Sequence, residues 1–227
     1  MFYDSTMLLV LPGLLLALLA SAWVQGAYRK YAKVATRGGI TAAQVAERIL
    51  HDGGAYDVRV EPVPGELTDH YDPRDQVLRL SQGVYGSTSI AALGIAAHEA
   101  GHALQHQDEY GPLWLRTAIV PVVNISSNAA MPLFLLGLFL SWEPLLWVGI
   151  LCFGAAVLFS LVTLPVEFNA TSRAMHQLEA GGYLTDTETG GAKKVLRAAS
   201  MTYVASALTA ILQLLRLLML ANSRRRR

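Results

Sequence analysis

Residues 89–102 read SIAALGIAAHEAGH, and the interpretation of the whole chain starts from this stretch. Its first nine residues, Ser89 to Ala97, carry no charge and are mostly small or apolar, which is typical of a buried helix. Three ionisable groups then enter that helix within five residues, at His98, Glu99 and His102. Burying such groups is costly unless a partner compensates them, and a bound metal ion is such a partner.

The spacing of the two histidines also indicates a metal site. His98 and His102 are four residues apart, so they share one face of a helix in the HExxH pattern. A catalytic zinc ion takes three protein ligands and keeps a position for water. Zinc lowers the pKa of that water to about 7, and Glu99 is placed to act as the general base that accepts its proton.

Glu167 is the best candidate for the third ligand. The metzincin pattern would require histidine at the position of Asp108, and the spacing of thermolysin-like enzymes falls on the apolar Val122. Glu167 follows an apolar run at a membrane boundary, where a carboxylate costs least if it is bound. His106 competes with it, but three successive turns of one helix diverge by about 12 Å and cannot converge on one ion. An unbound glutamate at a helix end is the alternative for Glu167.

The composition indicates a membrane protein. Apolar residues make up 53% of the 227 residues and charged residues 15%, against about 25% charged residues in an average soluble protein. The net charge of +1 offers no basic surface, so we expect no nucleic-acid partner. The single cysteine, Cys152, excludes a disulfide framework and a cysteine-based metal site.

Four apolar segments are long enough to be considered as membrane spans. We prefer an uncleaved first span to a signal peptide, because the basic residues follow the segment instead of preceding it. The fourth segment contains Arg216 and ends in four arginines, so we expect a helix that lies in the interface or re-enters the membrane near anionic lipid. A true fourth span is the alternative. The segments are Met7–Val24, Thr117–Leu140, Pro144–Val166 and Ala198–Leu220.

The charges around the first span predict the orientation. By the positive-inside rule, its basic flank makes the following segment cytoplasmic and puts Met1 outside. The metal-site helix precedes the second span and Glu167 follows the third, so a two-span hairpin returns both to the same membrane face. The basic flank consists of Arg29, Lys30, Lys33 and Arg37.

The polar segment between the first two spans predicts a small α+β portion. Residues 41–44 (TAAQ) have capping-box spacing and open a helix that ends near His51. The segments Tyr56–Val63 and Gln76–Leu80 predict strands, and the histidine-bearing helix is expected from about Ser87 to Gln107.

The roles of one strand and of two residues remain open between two interpretations each, and one further segment is expected to be a loop. The strand Gln76–Leu80 is either an edge that pairs with an extended substrate or purely structural. His70 and Tyr71 either donate to the oxyanion of the reaction or shape the turn around Asp72 and Pro73. Residues 181–191 are expected to form a mobile loop.

Several motifs resemble one known family. Those at residues 69–73 (DHYDP), 78–81 (LRLS), 96–105 (AAHEAGHALQ) and 164–170 (LPVEFNA) are similar to motifs of the YugP-type neutral zinc metallopeptidases. The wider pattern of HExxH, hairpin and Glu-Phe-x-Ala resembles the HtpX-type and CAAX-processing membrane proteases. The resemblance implies that His98, His102 and Glu167 bind Zn²⁺ and that Glu99 is the general base.

One position departs from the HtpX-type pattern, which has aspartate four residues after the glutamate ligand. This chain has Thr171 there. Asn169 or Arg173 is the expected replacement.

We therefore predict a mainly α-helical membrane protein with three or four apolar helices and a small α+β, zincin-like catalytic portion. The predicted segments are an N-terminal span (1–24), the catalytic portion with the HExxH helix (25–116), a transmembrane hairpin (117–166), the third-ligand helix and loop (167–197), and a C-terminal apolar helix with a basic tail (198–227).

The expected function is that of an integral-membrane zinc endopeptidase of the gluzincin type. It would cleave a peptide or membrane-protein substrate at the cytoplasmic face of a bacterial inner membrane. Two alternatives remain: a membrane scaffold or chaperone that keeps zinc structurally, and a metal-dependent hydrolase of a lipid or other non-peptide substrate. An open coordination position would separate the enzyme from the scaffold, because structural zinc sites are closed by four protein ligands.

Overall fold

The computed structural model describes residues 5–225 of the chain, with side chains from Thr6 to Ser223. Met1, on which the predicted orientation depends, lies outside these residues. The side chains of the basic tail Arg224–Arg227, expected near anionic lipid, also lie outside the described part.

The described residues form seven α-helices and three β-strands after a 3-10 helix at Ser5–Leu9. The helices are α1 (Leu11–Tyr31), α2 (Ala42–Asp52), α3 (Gln82–Tyr85), α4 (Ile90–Gln107), α5 (Gly111–Phe139), α6 (Glu143–Ala180) and α7 (Asp186–Arg225). The strands are β1 (Arg59–Val63), β2 (His70–Asp72) and β3 (Val77–Ser81). The mainly helical fold with a small α+β portion is confirmed.

The chain divides into two compact units. We call the first the helical unit; it comprises the segment up to Ser21, Trp114–Pro165 and the segment from Thr202. We call the second the mixed unit; it comprises Ala22–Leu113 and Val166–Met201.

A three-stranded sheet lies in the mixed unit, with the strand order β1-β3-β2. β1 runs parallel to β3 and β2 runs antiparallel to it. Since β3 is paired on both sides, the strand predicted at Gln76–Leu80 is not an edge open to a substrate, and its structural interpretation holds. The two edge strands are β1 and β2. β2 is a short strand in a segment that the sequence suggested as a turn.

The core of the mixed unit lies between α2, α4 and the sheet. Ile49, Leu78 and Leu93 are fully buried there, and burying one such side chain stabilises the fold by about 1.5–3 kcal/mol. The predicted capping box of α2 is present, because the Thr41 hydroxyl accepts from the Gln44 N–H and the Gln44 side chain accepts from the Thr41 N–H.

Three predicted boundaries in the mixed unit differ from the structure: β1 begins at Arg59 instead of Tyr56, and the starts of α4 and α7 also differ. α4 begins after Ser89 instead of Ser87, because the Ser89 hydroxyl accepts the hydrogen bond of the Ala92 N–H, 3.2 Å away. The expected mobile loop at 181–191 is shorter, since α7 already begins at Asp186. The Glu188 carboxylate explains this start: it accepts from the backbone N–H groups of Thr185 and Arg37, each at 2.8 Å.

Four helices within the described residues are long and apolar enough to cross a membrane. They span Thr6–Tyr31, Gly111–Phe139, Glu143–Ala180 and Asp186–Ser223. Leu18, Phe139 and Leu151 are each more than 60% exposed, and such surface is suited to contact with lipid tails. Within the helical unit, α5 and α6 approach closely, because a Cβ at Gly149 would lie 2.5 Å from the Phe134 nitrogen.

The C-terminal helix differs from its expected form. α7 is one continuous helix of 40 residues, and within the helical unit it packs on α1, where a Cβ at Gly13 would lie 2.8 Å from Thr209 Oγ1. Further along, the Arg216 guanidinium donates to the Thr6 hydroxyl at 3.3 Å. A re-entrant segment would need a break in the helix, whereas α7 is continuous and long and apolar enough to cross a membrane. These features fit the fourth span, which is the alternative to the interfacial helix.

Candidate metal centre

α4 presents both histidines of the HExxH pattern on one face. The rings of His98 and His102 have centroids 4.8 Å apart and are nearly perpendicular, at 81°. The preceding turns of α4 are buried, as the uncharged run predicts. The helix therefore holds two imidazoles beside each other at the edge of the core of the mixed unit.

Glu167, on α6, meets these two histidines. Its Oε2 atom lies 3.2 Å from His98 Nε2 and 3.6 Å from His102 Nε2. The ligand atoms of the three residues all lie within 4.8 Å of one another, and Glu167 is only 2% exposed. The geometry brings together the three residues that the sequence singled out as ligands.

Gly101 allows the close approach of α4 and α6 that places Glu167 there. A Cβ at this position would lie 2.7 Å from the backbone oxygen of Ala170. Ala170 is itself fully buried. The glycine inside the HExxH pattern thus has a packing role that the pattern alone does not require.

The donor set fits a zinc ion. Two imidazole nitrogens and one carboxylate oxygen are ordinary zinc ligands, and three protein ligands are typical of catalytic zinc. Burial disfavours a charged imidazolium at His102, but the hydrogen bond with Glu167 and the charges of Glu99 and Glu167 outweigh it and raise the pKa of His102 above its usual value. The potential in the cluster is therefore negative, which favours a cation.

Glu99, the predicted general base, accepts a hydrogen bond from the backbone of the sheet. The backbone N–H of Tyr71, in β2, donates to Glu99 Oε2 at 3.1 Å. A hydrogen bond to a carboxylate orients it and is stronger than one between neutral groups. The sequence alone did not predict that the edge strand reaches this residue.

Two histidines outside the cluster, His106 and His70, have other partners. His106 is exposed, and its Nδ1 atom lies 2.8 Å from the Tyr71 hydroxyl. Burial and the charge of Asp72 raise the pKa of Tyr71 to about 12, so the phenol is protonated at neutral pH and donates to His106. His70 is exposed and donates through Nδ1 to the Thr68 carbonyl at 2.7 Å.

Comparison with known proteins agrees with this geometry. Residues 6–222 match a family model described as "Putative neutral zinc metallopeptidase". The chain belongs to this family. It is also 50% identical over 212 residues to the "Putative membrane protease YugP" of Bacillus subtilis (strain 168), covering 93% of this chain and 94% of that protein. No solved structure matches the chain significantly.

Family membership confirms the resemblance found in the sequence. The cofactor of this neutral zinc metallopeptidase family member is Zn²⁺, and the cluster of His98, His102 and Glu167 is a site that could hold it. The four apolar helices and the membrane-protease relative identify a membrane protein. The individual roles of the ligands and of Glu99 stay predictions.

Sequence reasoning missed two residues that contact the cluster. Gln105 Oε1 lies 3.0 Å from His102 Nδ1, and Thr171 Oγ1 lies 3.4 Å from His98 Nδ1. Thr171 occupies the position at which the HtpX-type pattern has aspartate, so a hydroxyl instead of a carboxylate lies near His98. The only signal for Gln105 was a polar residue one turn after His102 on a buried helix.

Proposed function

We propose that this chain is an integral-membrane zinc endopeptidase of the gluzincin type. In this proposal His98, His102 and Glu167 bind the zinc ion, and Glu99 is the general base. The observation that carries the proposal is the convergence of the three ligand atoms within 4.8 Å, with Glu99 on the same helix. Membership of a zinc metallopeptidase family supports the same reaction class.

In the proposed reaction, the zinc ion and the protein's own groups have separate roles. When bound, zinc acts as a Lewis acid that polarises a carbonyl and lowers the pKa of water to about 7. Glu99 accepts a proton from the attacking water and returns it to the amine that leaves as the peptide bond breaks. The Tyr71 N–H, at 3.1 Å, keeps the Glu99 carboxylate oriented during both transfers.

The number of ligands favours an enzyme over a scaffold with structural zinc. Within the described residues, the cluster contains three side chains that could hold a metal ion. Structural zinc sites are usually closed by four, whereas catalytic sites keep a position for water or substrate. A three-residue cluster therefore supports hydrolysis.

The substrate and the location follow from the membrane setting. We propose a peptide or membrane-protein substrate, since the relative from Bacillus subtilis is named a membrane protease. We place the active site at the cytoplasmic face of the bacterial inner membrane, because the basic residues Arg29, Lys30, Lys33 and Arg37 follow the first span.

Replacing Glu99 by glutamine tests the mechanism. The purified wild type should contain about one zinc ion per chain and cleave an unfolded protein substrate in detergent. Glu99→Gln should retain zinc but lose hydrolysis by about 10²–10⁴-fold, because an amide cannot accept the proton. Metal analysis and a cleavage assay give the two readouts.

The matched control for this experiment is Glu47→Gln. Glu47 is an exposed glutamate on α2 of the same unit, so this variant should retain both zinc and activity. Wild-type turnover in Glu99→Gln, with Glu47→Gln also active, would contradict the assignment of the general base.

A further inference from the structure

The second ring nitrogen of His102 has a neutral, fully buried partner. Gln105 Oε1 lies 3.0 Å from His102 Nδ1, and Gln105 is 0% exposed. A histidine that binds a metal through one nitrogen usually donates its other N–H to an acceptor, which sets the tautomer and the ring orientation. In this chain the acceptor lies one turn away on the same helix.

Both hydrogens of the Gln105 amide have acceptors on α6. Nε2 donates to the Val166 carbonyl at 2.8 Å and to Asn169 Oδ1 at 2.9 Å. Val166 precedes Glu167 directly. The side chain that contacts His102 therefore also holds the backbone beside the third proposed ligand.

Arg173 sets the direction of these hydrogen bonds. Its Nε atom donates to Asn169 Oδ1 at 2.9 Å, and its Nη1 atom pairs with the Asp108 carboxylate. A guanidinium has donors only, so Asn169 must present its oxygen to it. The amide of Gln105 must then point its nitrogen at that oxygen and its own oxygen at His102.

The tautomer of His102 follows from this direction. An amide oxygen can only accept, so the proton of a neutral His102 must be on Nδ1. The lone pair is then on Nε2, the atom that faces Glu167 at 3.6 Å. His98 is different, because the Thr171 hydroxyl near its Nδ1 atom can donate or accept and imposes no tautomer.

We propose that Gln105 is a positioning residue of the metal centre. Asp108, Arg173, Asn169 and Gln105 form a hydrogen-bond chain of fixed direction that holds His102 in the tautomer able to bind zinc through Nε2. The inference rests on the proposed function insofar as His102 is a zinc ligand. It adds Arg173, which is partly exposed and lies outside the cluster, as the group that sets the direction of these hydrogen bonds.

Zinc affinity measured by chelator competition on the full-length protein in detergent tests the role of Gln105. Gln105→Met keeps the length of the side chain but removes its hydrogen bonds, so zinc should bind about 10–100-fold more weakly. The cobalt(II)-substituted variant should show a changed absorption spectrum, because the ring is no longer held. Gln107→Met, the same substitution at an exposed position of α4, should leave affinity and spectrum unchanged.

Two substitutions of Asn169 separate positioning from simple packing. Asn169→Asp retains an oxygen that accepts from Arg173 and Gln105. The direction of the hydrogen bonds is therefore preserved, and zinc affinity should stay near the wild-type value. Asn169→Leu removes the acceptor and should weaken zinc binding about 10-fold. These two variants provide the test even if Gln105→Met does not fold.

The outcomes distinguish this inference from the proposed function. Wild-type zinc affinity in Gln105→Met, together with no zinc binding in His102→Ala, overturns the positioning role and leaves the proposed function intact. Equal affinities for Asn169→Asp and Asn169→Leu overturn the fixed direction. A wild-type protein that binds no zinc overturns both proposals.

Discussion

Glu167 shows how one residue can combine burial with charge. Its carboxylate is almost completely buried, and Nε2 atoms of two histidines lie within 3.6 Å of Oε2. A buried charge needs compensation, and a zinc ion held together with the two imidazoles, as proposed, would supply it. His106 has no such environment, since it is exposed and accepts from the Tyr71 hydroxyl.

The different environments of Glu167 and His106 predict different effects on zinc binding and activity when each side chain is removed. Glu167→Ala should lose bound zinc and hydrolytic activity together, because a ligand is removed. His106→Ala should retain both, with a loss of stability of about 0.5–1.5 kcal/mol from the broken hydrogen bond. Metal content after purification and a cleavage assay provide the measurements. Loss of zinc in the His106 variant alone would contradict the choice of third ligand.

Among the elements, the edge strand β2 has a role in the site through its backbone. The Tyr71 N–H donates to Glu99, so this amide is not needed for pairing with β3. Proline is tolerated in an edge strand when the missing N–H does not belong to the ladder. The contact can therefore be removed by substitution.

Replacement of Tyr71 tests this backbone contact. Tyr71→Pro removes the donor and should lower turnover about 10-fold or more while zinc remains bound, since a carboxylate held less well is a poorer base. Tyr71→Ala removes the phenol but keeps the N–H, so it should be clearly more active than Tyr71→Pro. Turnover and zinc content are compared for both variants. Equal turnover would show that the N–H does not matter for activity.

The close crossing of α4 and α6 depends on the absence of a side chain at Gly101. A Cβ at Gly101 would meet a backbone oxygen at 2.7 Å, which cannot rotate away. Gly101→Ala should therefore separate the two helices, destabilise the protein by about 1–3 kcal/mol and weaken zinc binding. Thermal unfolding and chelator competition measure the two effects.

Gly26→Ala is the control for that helix crossing. Gly26 is a helical glycine of α1, and a Cβ added there would meet nothing within 4 Å among the described residues. Alanine at this position should therefore be neutral or stabilise the protein by up to about 1 kcal/mol. If Gly101→Ala behaves like Gly26→Ala, the close crossing is not required for the site.

On the scale of the whole molecule, the packing of α1 on α7 constrains the topology. Arg216, near the end of α7, donates to Thr6, before α1. If both helices cross the membrane, the start of α1 and the end of α7 lie at the same face. By the positive-inside rule, the basic flank after α1 is cytoplasmic, so the start of α1 and the end of α7 lie outside. The terminal arginines would then be an exception to the rule.

Cysteine labelling in intact cells tests this topology. In a Cys152→Ser background, Ser223→Cys should react with an impermeant reagent, whereas Asp57→Cys, at an exposed position of the mixed unit, should react only after lysis. Protection of position 223 would restore the interfacial helix. Labelling of position 57 in intact cells would reverse the proposed orientation.

The features that depend on local pattern could be predicted without a structure. The apolar runs, the HExxH pattern, the capping box at Thr41 and the membrane hairpin are each encoded within a few tens of neighbouring residues. The hairpin argument also predicted that Glu167 lies at the same membrane face as the two histidines. Hydrophobic length, helical periodicity and charge asymmetry are sufficient physical grounds for these predictions.

The groups that support the site are brought together by contacts between distant parts of the chain, and the sequence did not predict them. The contact of Tyr71 with Glu99 spans 28 positions and that of Gln105 with Asn169 spans 64, so neither leaves a periodic signal in the sequence. The central position of β3 and the packing of α7 on α1 depend likewise on partners distant in the chain. Hydrogen-bond direction and close packing are properties of atoms brought together by folding, and a one-dimensional pattern does not contain them.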